Sequence, residues 1–123
     1  MPRFAILEHD WPERHWDLFL EAADVLKTWR LLAEPGPGLT VPAEPAADHR
    51  LLYLDYEGEV SGGRGTVKRW DGGTFAGEPV GDAWEIAIRG SRLNGTIRFA
   101  ASAVAFSLFN SRGLNRASSP TTF

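Results

Sequence analysis

All three histidines of this 123-residue chain lie in two short segments, one holding His9 and His15 and the other holding His49. If the segment around His15 is extended, the side chains of His15 and Asp17 project from the same strand face, because strand side chains alternate. His9 precedes them across a turn predicted at residues 11–13. Two imidazoles and a carboxylate are a recurrent ligand set for a catalytic divalent metal. The spacing therefore predicts a metal site made of His9, His15 and Asp17.

The donor atoms of this set limit the choice of metal. The chain contains no cysteine, so any metal must be held by nitrogen and oxygen ligands. Such ligands suit Mn²⁺, Zn²⁺ or Co²⁺, and open coordination positions can accept water or a phosphate oxygen. We expect Mn²⁺, with Zn²⁺ and Co²⁺ as alternatives. The competing interpretation of each histidine is an ordinary surface or hydrogen-bonded residue.

Composition narrows the class of protein. A hydrophobic share of 43%, with five Trp and seven Phe, indicates one globular domain. The N-terminus meets charge too early for a signal peptide, and no apolar run approaches the ~20 residues that span a bilayer. With the absence of cysteine, this predicts a cytoplasmic protein that does not associate with membranes. The net charge of −3 argues against a general nucleic-acid coat.

The apolar pattern predicts an all-β fold, a compact antiparallel β-barrel with little helix. Alternating residues separated by Gly-rich turns are typical of such folds. We expect the domain to cover residues 1–110, followed by a polar, mobile tail at 111–123. Residues 33–47, with four prolines, are predicted to be a loop without strand pairing, and 71–73 and 94–95 to be turns. The predicted strands are 4–8, 14–21, 25–32, 51–56, 65–70, 74–76, 84–89, 95–100 and 103–109.

Side-chain alternation predicts which residues share a face. Within the second strand, Trp16, Leu18 and Leu20 should face the core, and His15, Asp17 and Phe19 the other side. His49 and Tyr53 should likewise share a strand face. The stretch 62–65 (Gly-Gly-Arg-Gly) is either a flexible turn or a backbone nest that approaches phosphate, with Arg64 adding charge. Residues expected in or near the core are Trp16, Leu18, Leu20, Trp70, Ile86, Ile88, Ile97 and Phe99.

A set of motifs follows in order along most of the chain. His9, Asp10, His15 and Asp17 form a His-Asp-x4-His-x-Asp run. Further motifs lie at residues 25–29 (Val-Leu-Lys-Thr-Trp), 48–58 (Asp-His-Arg-Leu-Leu-Tyr-Leu-Asp-Tyr-Glu-Gly), 65–75 (Gly-Thr-Val-Lys-Arg-Trp-Asp-Gly-Gly-Thr-Phe) and 92–95 (Arg-Leu-Asn-Gly). Together they resemble the 3′-phosphoesterase domain of bacterial DNA ligase D and its stand-alone relatives.

The resemblance implies an enzyme that trims 3′ ends of DNA or RNA–DNA strands before end joining, removing a terminal ribonucleoside and then the 3′-phosphate. It implies a metal bound by His9, His15 and Asp17. It also implies that His49 contacts the scissile phosphate, as an acid or transition-state stabiliser, and that Tyr53 lies in the site. We expect a monomer that acts on nucleic-acid 3′ ends, with ligase or polymerase partners in trans.

Three family cations that bind phosphate are replaced in this chain. Phe19 stands where the family has an arginine, Ala33 lies near its lysine, and Val41 lies near a second arginine. Arg–phosphate contacts stabilise the transition state substantially, so a slow chemical step is expected unless other bases compensate. The candidate replacements are Lys27, Arg30, Arg50 and Arg64.

Two other functions compete with the enzyme interpretation. One is a catalytically weakened, metal-binding module that docks to nucleic acid or to a repair partner. The other is a phosphoesterase for a small non-nucleic substrate, with a narrower pocket lined by Phe19. Hydrolysis of a 3′-phosphate primer–template separates the enzyme from the binding module, and comparison with a nucleotide or a generic phosphate ester separates the third function.

Overall fold

The alternating apolar residues form strands, and the strands form one antiparallel sheet. The computed structural model describes residues 1–77 and 84–109. A single 3₁₀ helix, Leu51–Leu54, follows the fourth strand of this part of the chain. The strands are β1 (Arg3–His9), β2 (His15–Ala22), β3 (Val25–Leu31), β4 (Thr40–Arg50), β5 (Gly58–Glu59), β6 (Thr66–Ala76), β7 (Trp84–Gly90), β8 (Asn94–Phe99) and β9 (Ala103–Phe109).

The sheet closes on itself, because β1 pairs with β2 on one side and with β6 on the other. The order β1-β2-β3-β4-β9-β8-β7-β6 makes a ring of eight strands, and β5 pairs with β6 beside it. The all-β antiparallel class predicted from the sequence is confirmed. Across residues 1–77 and 84–109 no helix is long and apolar enough to cross a bilayer.

The wall of the ring separates two apolar clusters. The inner cluster takes residues from all eight ring strands and fills the ring; it contains Trp16, Leu18, Leu20, Ile86, Ile88, Ile97 and Phe99, with Trp70 packed against it, as predicted. The outer cluster lies on the other face of β1, β2, β3 and β6, and the segment 51–60 packs over it. Its buried members are Ala5, Leu7, Phe19, Leu26, Leu54 and Val67.

The prediction of an unpaired loop at residues 33–47 is wrong from Thr40 on, because β4 begins there and pairs with β3 and β9. Its prolines lie where no ladder donor is required. The N–H of Ala43 points toward β9 and donates to the Ser102 carbonyl. The nitrogen of Pro45, two residues later, points to the same side, where the pairing with β9 has already ended at Pro42. The nitrogen of Pro42 faces the other side, where β3 has already ended at Leu31.

The predicted strand at 51–56 is also wrong, since Leu51–Leu54 forms a 3₁₀ helix. In this helix, residues three apart share a face. Leu51 and Leu54 therefore both reach the outer cluster, which an extended chain would not allow.

The predicted turn at 71–73 is instead the middle of β6. The two glycines permit close packing, not a reversal: a Cβ added to Gly73 would lie 1.9 Å from the Arg89 carbonyl oxygen. The predicted turn at 94–95 lies in β8, and the chain reverses at 91–93. Asp71 determines that location, because its carboxylate accepts the backbone N–H groups of Ser91, Arg92 and Leu93. The predicted tail at 111–123 lies outside the described residues.

Candidate functional site

The three predicted metal ligands meet on the outer face of the ring, where β1 and β2 pair. His9 ends β1 and lies opposite His15, the first residue of β2. Asp17 follows on the same face, because Trp16 between them points into the ring. The possible ligand atoms of His9, His15 and Asp17 all lie within 4.8 Å of one another.

Backbone carbonyls fix the protonated nitrogen of both imidazoles. His9 Nε2 lies 2.8 Å from the carbonyl oxygen of Arg64, and His15 Nδ1 lies 2.9 Å from that of Glu13. A carbonyl only accepts, so each of these nitrogens carries the proton. The opposite nitrogens, His9 Nδ1 and His15 Nε2, lie 3.6 Å and 3.3 Å from the Asp17 carboxylate oxygens.

The electrostatics favour an ionised carboxylate between the two imidazoles. Burial of Asp17 favours its neutral form, but the close contacts with His15 and His9 outweigh this and lower the pKa of Asp17 to about 2. The contact with Asp17 raises the pKa of His9, against the effect of burial and with help from the Arg64 carbonyl. At neutral pH the cluster therefore presents an ionised carboxylate between two imidazole rings.

These residues fit a divalent cation. His15 Nε2 is buried and has no hydrogen-bond partner among the described residues, although it lies close to Asp17. A buried, unpartnered lone pair is unfavourable unless something else binds it. Fixing the outer nitrogen with a carbonyl is also how proteins orient metal-binding histidines.

A cavity of about 360 Å³ opens beside the triad. Its volume lies in the range of sites that enclose one small molecule, roughly 300–1,000 Å³. Apolar and polar groups share its wall. The ionisable residues lining it are His9, Asp17, Arg30, Asp48, His49, Arg50, Tyr53 and Arg64.

His49 reaches this cavity through a β-bulge in β4. Leu26 pairs with His49 and Thr28 with Ala46, so two residues of β4 stand opposite Lys27. The extra residue reverses the alternation that places Val41 and Ala43 in the inner cluster, and His49 therefore lies on the outer face. Bulges often redirect a side chain in this way beside functional sites.

The imidazole of His49 is oriented by two acceptors. Its Nδ1 lies 3.0 Å from the Ala47 carbonyl oxygen and 3.1 Å from Thr28 Oγ1. Thr28 uses its own proton on the Leu26 carbonyl, so Nδ1 must be the donor in both contacts. Nε2 is then the nitrogen of His49 available for proton exchange.

The buried aromatic ring of Phe19 packs against the imidazole of His49. Phe19, only 1% exposed, lies 5.0 Å from the His49 ring and 6.4 Å from the Tyr53 ring, between centroids. Phe19 therefore shares the strand face of His15 and Asp17, as alternation predicted. Tyr53 lines the cavity 5.7 Å from His49, but from the 3₁₀ helix and not from a shared strand.

Arg30 is the candidate cation closest to the triad by strand register, because it pairs directly with Asp17 across β2 and β3. Its Nε is buried and has no hydrogen-bond partner among the described residues. The guanidinium therefore retains donors for an anion in the cavity.

The other predicted cations lie in different surroundings. Lys27 alternates with Leu26 and Thr28 on β3 and is not among the residues lining the cavity; its Nζ lies 3.4 Å from Asp48. Arg64 lines the cavity, but its guanidinium donates to Ser61, while its carbonyl binds His9. Val41 is buried in the inner cluster and Ala33 packs against it, so neither stands near the cavity.

Several residues that line the cavity are not among the site residues predicted from the sequence. Trp11 and Pro12 come from the turn between β1 and β2, and Ala46 from β4. Val60 and Val67 line the same wall. Of these, only Trp11 has a sequence signal of function, because it is an aromatic residue in a predicted turn two residues after His9.

Fold and site define a class: an antiparallel ring of strands with a His-His-Asp cluster and a third histidine on its outer face. Residues 7–102 match the family model of the DNA ligase D 3′-phosphoesterase domain. The chain belongs to this family, and the resemblance seen in its motifs is confirmed.

A curated relative supports the same assignment. The chain is 31% identical over 106 residues to the multifunctional non-homologous end joining protein LigD of Pseudomonas aeruginosa. The match covers 76% of this chain and 12% of that protein. The chain therefore corresponds to a small part of the relative.

Proposed function

We propose that this protein is a metal-dependent 3′-phosphoesterase that processes the 3′ ends of DNA or RNA–DNA strands during repair. Membership of the 3′-phosphoesterase family supports the reaction class. The observation that carries the proposal is the buried, unpartnered Nε2 of His15 beside an ionised Asp17, with the outer nitrogens of both imidazoles already fixed.

The metal ligands in this proposal are His9 Nδ1, His15 Nε2 and an oxygen of Asp17. A divalent cation held there would polarise a phosphoryl oxygen and lower the pKa of a bound water. Mn²⁺ is the metal we propose, with Zn²⁺ and Co²⁺ equally compatible with two nitrogens and a carboxylate. The protein contributes rigidity, because both imidazoles are held by backbone carbonyls.

Arg30 binds the phosphate in this proposal. Phe19 stands where the family has an arginine. Its buried ring packs against His49 and leaves no room for a guanidinium. Arg30 approaches from the neighbouring strand, across from Asp17, and its Nε has no other partner among the described residues. It would neutralise the phosphate charge that grows in the transition state. Arg50, exposed at the cavity rim, supplements it.

His49 handles the leaving group. Water attacks phosphorus, the P–O3′ bond breaks, and the O3′ atom takes a proton from His49 Nε2, giving a 3′-hydroxyl and inorganic phosphate. Ala47 and Thr28 hold the other nitrogen, so the imidazole is aimed before substrate arrives. The Tyr53 hydroxyl offers a further hydrogen bond within the same cavity.

The test is hydrolysis of a primer–template with a 3′-phosphate, in the presence of Mn²⁺, Zn²⁺ or Co²⁺. Arg30→Ala should lower kcat/KM by roughly 10²–10³, and Arg30→Lys should recover part of the loss. Arg98→Ala is the matched control, because Arg98 forms a surface ion pair with Glu85 away from the cavity. We expect that control to behave as wild type.

The outcomes separate the competing functions. No phosphate release with any of the three metals, together with metal-dependent binding of the same strand, would favour a binding module. Equal turnover of a small aryl phosphate and of the primer–template would favour a small-substrate phosphoesterase. An Arg30→Ala enzyme with the wild-type rate would remove Arg30 from the mechanism.

A further inference from the structure

Trp11 is exposed at the cavity that holds the triad. It lies two residues after His9 and lines the same cavity as His9, Asp17 and His49. Its exposed fraction is 43%. Among the large hydrophobic residues that are exposed within residues 1–77 and 84–109, Trp11 is the aromatic one. The other tryptophans of that part of the chain are in, or packed against, the inner cluster. Trp11 therefore contributes little to the core.

The turn that carries Trp11 is held firmly against the start of β6. Asp10 accepts hydrogen bonds from the Thr66 backbone N–H at 2.7 Å and from the Thr66 hydroxyl at 2.9 Å. Gly65 packs on the same turn, since a Cβ added there would lie 2.5 Å from Trp11 Cβ. The backbone of Trp11 is thus fixed while its indole remains accessible. A fixed and exposed aromatic ring loses little entropy when a ligand covers it.

The surroundings favour a nucleobase over an apolar partner. Arg30, Arg50 and Arg64 line the same cavity, which suits a ligand that carries phosphate. Nucleobases stack on exposed aromatic rings, and stacking of this kind is independent of sequence. A phosphate held beside Asp17 and Arg30 belongs to a sugar whose base must occupy nearby space. Trp11 is the exposed ring in that cavity.

We propose that Trp11 is the stacking platform for the nucleobase of the nucleotide that bears the scissile 3′-phosphate. Resting on the proposed phosphoesterase function, this makes Trp11 a specificity-determining residue: it selects nucleotide ends over phosphate esters that lack a base. Because stacking tolerates any base, we expect Trp11 to favour ends that carry a base without favouring one base over another.

The test compares two oligonucleotides that differ only at the terminal residue. One ends in a normal nucleoside 3′-phosphate and the other in an abasic tetrahydrofuran 3′-phosphate. Wild type should hydrolyse the base-bearing end with a kcat/KM roughly ten- to a hundredfold higher. Trp11→Ala should bring this ratio close to one, and Trp11→Phe should retain most of it. Leu39→Ala, an exposed apolar residue outside the cavity, is the control and should keep the wild-type ratio.

A second measurement does not depend on turnover. A 3′-phosphorylated strand with a terminal 2-aminopurine is added to metal-free protein, and we expect its fluorescence to be quenched by wild type and not by Trp11→Ala. A wild-type ratio near one, an unchanged ratio in Trp11→Ala, or equal quenching by both proteins would overturn the stacking proposal while leaving the phosphoesterase function intact. Absence of turnover at both ends contradicts the proposed function, and selective quenching then still supports stacking.

Discussion

At the scale of single residues, His15 shows how a side chain can be prepared for a ligand. Its Nδ1 is held by the Glu13 carbonyl, and its Nε2 is buried without a hydrogen-bond partner in the described part of the chain. Asp17, beside it, remains ionised because its pKa is lowered to about 2. The carboxylate of Asp17 is therefore ionised, and both side chains are already oriented, before any cation arrives.

The proposed metal ligation predicts a clear difference in metal affinity between two histidine variants. His15→Ala removes one of three donors, so we expect affinity for Mn²⁺ to fall by roughly 100-fold or more. His49→Ala is the matched control, because His49 lies in the same cavity without belonging to the triad, and it should retain wild-type metal content. Elemental analysis after metal loading and dialysis measures both. Equal metal content in wild type and His15→Ala would contradict the assignment.

Phe19 illustrates a substitution whose meaning changes once the structure is considered. From the sequence, an apolar ring in place of a guanidinium suggests a simple defect that Phe19→Arg would repair. The ring is instead buried and packs against His49. Its role is therefore structural support of His49, the imidazole proposed to protonate the leaving group.

We expect Phe19→Arg to lower the free energy of unfolding by ~3–5 kcal/mol, since it places an uncompensated charge in the outer cluster, and to lower the rate of phosphate release. Urea denaturation and the primer–template assay measure the two effects. Leu52→Ala, exposed on the same side of the molecule, should change neither. A stable Phe19→Arg protein with a higher rate would restore the interpretation made from the sequence.

At the scale of elements, β3 and β4 together position His49, the residue proposed to protonate the leaving group. The bulge opposite Lys27 moves His49 to the outer face, and Thr28 on β3 receives its Nδ1–H. Thr28 is itself buried and bound to the Leu26 carbonyl. Orientation of the imidazole thus depends on the pairing of two strands.

Thr28→Val should remove this acceptor while preserving shape, and we expect a roughly five- to tenfold fall in kcat, from the loss of one buried hydrogen bond. KM and metal content should stay at wild-type values, because Thr28 is a positioning residue and does not touch the triad. Thr28→Ser keeps the hydroxyl and should recover most of the rate. If Thr28→Ser and Thr28→Val are equally slow, the hydroxyl is not what orients His49.

At the scale of the whole molecule, the ring has an apolar interior and carries its chemistry on the outside. The inner cluster links all eight ring strands, whereas the candidate site uses the outer face of β1 to β4 and of β6, with the segment that covers it. Asp71 lies where β6 passes from β1 to β7. Asp71 is 2% exposed, and its carboxylate also accepts the backbone N–H of Gly72.

Asp71→Ala should therefore lower the free energy of unfolding by ~3 kcal/mol or more, because four backbone donors lose their acceptor. Asp71→Asn retains one acceptor oxygen and should lie between this variant and wild type. Asp55→Ala is the control: Asp55 is exposed and paired with Arg3, and we expect less than about 1 kcal/mol. Thermal and urea unfolding that fail to distinguish Asp71→Ala from Asp55→Ala would show that Asp71 does not hold the β6–β7–β8 junction.

Much of the fold and the triad could be predicted from the sequence, because both depend on local alternation. His15 and Asp17 share a face whatever the rest of the chain does, and a short turn returns His9 to them. The same alternation correctly separated Trp16, Leu18 and Leu20 from the site. Errors arose where Gly and Pro were taken as turn or loop signals, at residues 40–47 and 71–73, although these residues lie in strands.

Only the tertiary structure decided which other residues lie beside the triad. His49 reaches the site through an extra residue in β4, and Arg30 stands opposite Asp17 through the register of β2 and β3. The cavity that Trp11 shares with them also includes Tyr53 and Arg64 from later in the chain. Register depends on the turn that joins two strands and a bulge on how both strands pair, so the alternation within one strand contains neither. The periodicity of a single strand, by contrast, is a property of its own backbone.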